Sequence, residues 1–311
     1  MDDQICSKAM LVSLSIQGMG MILSDVEDRQ AGDTLAHQQG VNPEVIRVMK
    51  KLLDPKRVPE AKALVSARNA LYTYFRQETL LWGERGVRAL PSSKYFDLTA
   101  GIGERKAALE GAFESVLAIW PQLKADAKTA LNGMWREADW PDAETLRARF
   151  NVRVKVRPMV DASQFKALMG YDEEVATIRE QIEKDVFTDL SAGLLDLFRQ
   201  LRVYLADEES GFINRVGSYS VDAQGKVLNT FRDSAVGKLR ELCSRVRGLN
   251  VVGDPTLNEI VEEIEAGVCK HTAEALRDDC VLRKSVVQNA QSAAAKLAAV
   301  EGILGRRLEA A

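Results

Sequence analysis

The sequence predicts a mainly α-helical protein, built from long amphipathic helices with a small β element. Three observations predict it. Along most of the chain apolar residues recur at steps of three and four, the spacing of one helix face. Two stretches, near 10–17 and 149–157, alternate instead with period two, the spacing of a strand. Proline and glycine fall between these patterns more often than within them.

The elements follow in order. Residues 9–23 (AMLVSLSIQGMGMIL) begin with Met10, Val12, Leu14 and Ile16 set against Ser13, Ser15 and Gln17. This reads as a buried strand followed by a turn. It does not read as a signal peptide, because Asp2 and Asp3 stand where a basic region is needed. Asn42-Pro43 predicts a helix to about Leu53. Pro59 opens a longer one ending near Trp82-Gly83, with Leu64, Ala67, Leu71, Tyr74 and Phe75 on its apolar face. Gly86–Gly103, with a proline and several glycines, predicts a long loop. A helix from Glu104 to Ile119 follows, and Pro121 breaks or restarts it before a further helix to about Glu137.

Residues Arg149, Asn151, Arg153, Lys155 and Arg157 then alternate with Phe150, Val152, Val154 and Val156 and close at Pro158. This predicts a strand with one apolar and one cationic face, paired with the strand at 10–17. From Val175 to Leu205 a single amphipathic helix is expected, spanning about 45 Å at 1.5 Å per residue. Residues 207–225 form an irregular connection or short hairpin. Further helices are predicted over 226–247, from the Asp254-Pro255 cap onward, and over 281–308. The organisation expected is a mixed helical unit over 1–160, joined by the two strands, and an all-helical unit over 161–311.

The 311 residues are 46% hydrophobic and 28% charged, enough apolar surface for a core and too much for a disordered chain. A net charge of −3 gives the whole molecule no general attraction for nucleic acid or anionic membrane. Such binding would need a local patch. Charge is indeed uneven. Residues 172–209 carry eleven acidic and four basic side chains, 226–247 six basic and two acidic, and 254–279 eight acidic and two basic. No run reaches the ~18–20 apolar residues of a membrane span. Cys6, Cys243, Cys269 and Cys280 are scattered without a CxxC pair, as expected of reduced thiols in a cytoplasmic protein.

The candidate chemistry is sparse. Cys269, His271, Glu274 and Cys280 lie close in sequence, but helical spacing puts Cys269 and His271 on different faces, so no metal site is expected. Ala100-Gly101-Ile102-Gly103-Glu104 lacks a third glycine and a lysine–serine ending, so it reads as a turn before a helix and does not predict ATP binding. Glu259, Glu262, Glu263 and Glu265 read as a solvated helix face, and no nucleophile elbow is present. Neither a catalytic set nor a cofactor is predicted.

What remains is the basic strand. Arg149, Arg153, Lys155 and Arg157 are the candidate contact residues, extended by Lys238, Arg240, Arg245 and Arg247 if these share a side. Three readings stay open: a charged edge that discourages aggregation or meets the acidic long helix, a docking surface for a protein partner, or a groove for phosphates. Aromatic residues are not interleaved with the cations, which weakens base stacking.

Phe231-Arg232-Asp233-Ser234 through Lys238-Leu239-Arg240-Glu241-Leu242-Cys243, followed by Leu249-Asn250-Val251 and Asp254-Pro255, resembles a family of phage and bacterial proteins of unknown function. Leu11-Val12-Ser13-Leu14 and the helix before Gly86-Val87-Arg88 resemble its N-terminal half. Genes of that family often neighbour MoxR-type AAA ATPases. The resemblance implies a cytoplasmic, non-enzymatic interaction or adaptor protein of phage or mobile-element origin, acting with such an ATPase. It transfers no catalytic residue. The alternative expectation is a nucleic-acid-binding protein of phage DNA metabolism that uses the cationic strand. Long amphipathic helices also allow a homo-oligomer.

Overall fold

The computed structural model describes residues 8–83, 85–159, 172–224, 226–251 and 253–309. Cys6, Gly225, the division expected at residue 160, and the side chains of Val175 and Ile178 lie outside the described residues. The fold is mainly α with a small antiparallel β element.

The strands are β1 (Ala9–Gln17), β2 (Val26–Glu27), β3 (Met49–Lys50), β4 (Leu80–Leu81), β5 (Val87–Pro91), β6 (Asn151–Pro158), β7 (Ser220–Val221) and β8 (Val227–Asn229). The first helices are α1 (Gly20–Leu23), α2 (Arg29–Gln39), α3 (Pro59–Gln77), α4 (Tyr95–Leu131) and α5 (Ala143–Arg149). Then come α6 (Asp172–Ala206), α7 (Phe212–Gly217), α8 (Ser234–Leu249), α9 (Pro255–Ile264), α10 (Ala273–Asp278) and α11 (Cys280–Glu309). The strand order of the main sheet is β4-β5-β1-β6, so among the described residues β6 forms one edge beside β1. Ala9 stands opposite Pro91 and Ser13 opposite Val87 in the antiparallel β1–β5 pair.

Two compact units divide the chain. One comprises Met1–Ser13, Arg76–Phe96 and Val156–Ala311, the other Leu14–Phe75 and Asp97–Lys155. The first has a continuous apolar core. Leu190, Leu194, Leu197, Leu201 and Leu205 of α6 are buried with Leu239, Val246 and Leu249 of α8 and Leu257, Ile260, Val261 and Ile264 of α9. Asp254 starts α9 by accepting a hydrogen bond from the Leu257 amide at 2.9 Å, with Pro255 at the first helical position. Each fully buried leucine contributes roughly 1.5–3 kcal/mol. Glu301 of α11 accepts from Arg199 and Arg202 of α6 at 3.0 and 2.7 Å, tying these two long helices by charge as well.

The second unit is centred on aromatic residues. Phe113 stacks on Phe150 at 4.1 Å, and the Trp120 and Trp140 rings lie 5.1 Å apart. Trp120 Nε1 donates to the Pro141 carbonyl at 2.8 Å, so the buried indole N–H is satisfied. Gly18 turns the chain at φ 85°, where an added Cβ would stand 2.7 Å from the Arg149 carbonyl oxygen, so only glycine fits. In the two-stranded antiparallel pair of β2 and β3, the buried Lys50 ammonium meets Asp28 at 3.1 Å, Asp139 at 2.6 Å and the Met134 carbonyl at 3.2 Å. Its ammonium donates to Asp139 and to the Met134 carbonyl, and its charge answers Asp28.

Several expectations are corrected. Residues 20–23 form α1 rather than a plain turn. Asn42 caps only a 3-10 turn, Pro43–Val45, because the β-branched Val45, Ile46 and Val48 favour extended backbone leading into β3. The helix opened by Pro59 ends at Gln77, and Leu80–Leu81 is strand. The loop expected over Gly86–Gly103 is β5, a 3-10 turn at Ser92–Lys94 and the first turns of α4. Of its two helical glycines, Gly101 is needed because a methyl group there would collide with the Tyr74 ring and hydroxyl. Pro121 neither breaks nor restarts α4: burial of Val116, Leu117 and Trp120 around it outweighs the lost hydrogen bond. The helix expected over 226–247 starts at Ser234, after β8, and runs through Gly248.

Candidate functional site

Strand β6 places its side chains much as the alternation requires. Val152 is buried and Val154 half-buried, whereas Arg153, Lys155 and Arg157 are exposed. No described carboxylate forms an ion pair with any of the three. Successive members lie ~7 Å apart along the strand. Val156 is also exposed, at 44%, so the apolar face runs out toward Pro158. Arg149 is not part of this row. It ends α5, and Phe150 is the first extended residue. A cation in the last turn of a helix is favoured by the carbonyls left unpaired there, and the Arg149 guanidinium lies 3.8 Å from the Met21 sulfur.

The four cations of α8 do not form one patch. Lys238 and Arg245 are seven residues apart and share a stripe; Arg240 and Arg247 share another. Arg247 pairs with Glu265 at 2.7 Å, and Arg240 donates to the Cys269 carbonyl. Both are therefore tied to the π-helical turn Glu265–Cys269. Arg245 meets Glu78 at 3.4 Å, and Lys238 is exposed with no ion pair among the described residues.

Lys238 and Arg245 instead line an open cavity of about 660 Å³. Its walls come from α8, the C-terminal turns of α6, α7 and the end of α3. Arg215 of α7 stands over the Tyr204 ring, 5.5 Å from its centre, and is anchored by Nε on the Gly211 carbonyl at 3.3 Å. Tyr204 donates its hydroxyl to the Ala235 carbonyl at 2.8 Å, and burial pushes its phenol up from the ordinary value. Sequence reading missed Arg215 and Tyr204, which lie on elements distant in sequence from α8. The spacing of 238, 241, 242 and 245 was the available signal, since those four residues mark one helix stripe.

The other candidates separate. Cys269 is buried against Cys243, whose thiol is pushed up by the Cys269 sulfur and by burial. His271 and Glu274 line a different cavity with Arg240 and Arg277, and Cys280 is exposed. Among the described residues no three histidine, cysteine or acidic groups gather as metal ligands. Gly101 and Gly103 lie inside α4, not at a helix start, so no free N–H groups point at an anion there. Glu263 pairs with Lys296 and Glu265 with Arg247, while Glu259 and Glu262 are exposed. No helix among the described residues is long and apolar enough to cross a membrane.

No family model, curated protein or solved structure matches the chain.

Proposed function

We propose that this is a non-enzymatic interaction protein that binds an acidic partner segment along the outer edge of β6. The observation that carries the reading is the row Arg153, Lys155 and Arg157, exposed and without ion pairs among the described residues, on an eight-residue edge strand. An edge strand offers main-chain hydrogen bonds to an added strand, and its side chains select the partner. Three like charges repel a basic strand and are costly to strip of water beneath a neutral one, and so protect the edge. The same charges favour a segment carrying carboxylates at alternate positions. The partner proposed is a MoxR-type AAA ATPase, in the cytoplasm of a cell carrying the phage or mobile element, as the family resemblance implies.

The test uses the purified full chain and a MoxR-type AAA ATPase from the same genome. Replacing Arg153, Lys155 and Arg157 together with glutamate should weaken binding at least roughly tenfold, since rim charges steer and select partners. Unchanged binding by the variant, or none by the natural chain, would sink the proposal.

A second reading rests on the same exposed cations: the strand follows a nucleic-acid backbone. It requires affinity that falls steeply with salt and little dependence on base identity, because no aromatic side chain stands in the row. Native purification read by mass spectrometry and by nuclease-sensitive ultraviolet absorbance separates the two.

A further inference from the structure

The geometry points to a second binding site: the cavity between α6, α7 and α8 takes a phosphomonoester of nucleotide size. Its charge is arranged asymmetrically. Lys238, Arg245 and Arg215 supply three cations from two helices; among the described residues Glu241 is the carboxylate in the wall, and Glu78 answers Arg245. Arg215 and Arg245 are both fixed through Nε, on the Gly211 carbonyl at 3.3 Å and on Glu78 at 3.4 Å. Held in this way, the two guanidiniums are positioned before a ligand arrives, which limits the entropy lost on binding. Planar guanidinium forks and a lysine ammonium are the groups that recognise phosphate.

The remaining lining is suited to the rest of such a molecule. Gln77, Gln200 and Ser210 offer amide and hydroxyl groups, and Glu241 accepts from hydroxyl or amine donors. Gln200 is oriented by donating its amide to Asp196 at 2.7 Å. At about 660 Å³ the space is far larger than inorganic phosphate needs and lies within the range of small-molecule sites. With Glu241 and Glu78 set against the three cations, the small positive excess suits one phosphate better than three, which favours a monophosphate over a triphosphate. Every residue named belongs to a single compact unit, and none is in β6.

Calorimetric titration of the full chain at low salt tests this, with adenosine monophosphate and adenosine as probes. The monophosphate should bind and adenosine should not. Lys238 is exposed and free of ion pairs among the described residues, so Lys238→Ala should fold normally and weaken the monophosphate roughly tenfold, the cost of one charged hydrogen bond. The triple glutamate variant of β6 should bind it as the natural chain does. Failure of the monophosphate to bind, equal binding of adenosine, an unaffected Lys238→Ala variant, or loss of binding in the β6 variant would each overturn the assignment.

Discussion

Two cationic regions of this molecule obey opposite rules. Lys50 is a single ammonium, its side chain 2% exposed, and it is met by two carboxylates and a carbonyl. Strand β6 presents three exposed cations with no ion pair among the described residues. The difference is set by water. Burying an unpaired ammonium costs several kcal/mol, and this one is held between two carboxylates. On β6 water screens each charge, and pairing is not needed for folding. Charge that the fold does not require is charge a partner can use.

The largest expected effect tests the buried half of this contrast. Lys50→Met removes the ammonium and leaves Asp28 and Asp139 facing one another. Breaking a buried pair in this way costs about 3–5 kcal/mol, and the partial exposure of Asp139, at 18%, places the loss toward the lower end. Urea unfolding would measure it. Adding Asp139→Asn to Lys50→Met should recover part of the loss; no recovery would mean that shape, not charge, holds this site.

The pH dependence of stability sharpens the same point. A hydrogen bond from the Ala31 amide and then the Lys50 ammonium hold Asp28 below its ordinary value of 3.8. The stability this gives is present above 3.8 and is lost as pH falls through the lower, folded value. Burial alone would lower Lys50, but its hydrogen bonds to Asp139 and Asp28 outweigh burial and raise it above 10.5. That contribution is complete below 10.5 and is lost as pH rises through the higher, folded value. Unfolding free energies of natural chain and Lys50→Met should therefore differ most in the middle range and converge at both extremes. A constant difference across pH would contradict the electrostatic account.

The sequence revealed these regions unequally, for physical reasons. The exposed faces of β6 could be read because alternation is local and each residue announces its own side. Even there, period two could not tell the last turn of a helix from the first residue of a strand, and Arg149 was placed one element too far. The buried group could not be read at all. Lys50 and Asp139 are 89 residues apart and look like ordinary surface charges until the chain brings them together. The same limit hid Arg215 from the stripe of α8. Strand β5 was missed because its five residues are few, and because Gly101 and Gly103 within α4, only the first of them required by packing, imitate a loop.

An intermediate case lies at Glu301, where the charges are reversed: one carboxylate, 17% exposed, is shared by two guanidiniums that are 55% and 37% exposed. Burial would raise this carboxyl, but hydrogen bonds from Arg202 and Arg199 prevail and hold it below 4.5. If burial grades the cost of losing a partner, Glu301→Gln should destabilise by about 1 kcal/mol, between the values for buried and surface pairs. Its effect should be present above pH 4.5 and vanish as pH falls through the folded value. A loss as large as that of Lys50→Met would break the grading.

The smallest stability change is expected on β6, and it is the most informative. Replacing Arg153, Lys155 and Arg157 together with serine removes three charges and no buried contact. Unfolding free energy should shift by no more than about 0.5 kcal/mol, as for surface substitutions remote from packed groups. Relief of mutual repulsion makes a slight gain as reasonable as a slight loss, and the gain should shrink in high salt. Loss of partner binding with stability unchanged would separate recognition from folding in a single variant. A loss of several kcal/mol would instead mean that acidic groups of the fold answer these cations in solution. The contrast with Lys50 would then dissolve, and β6 would be structure rather than surface.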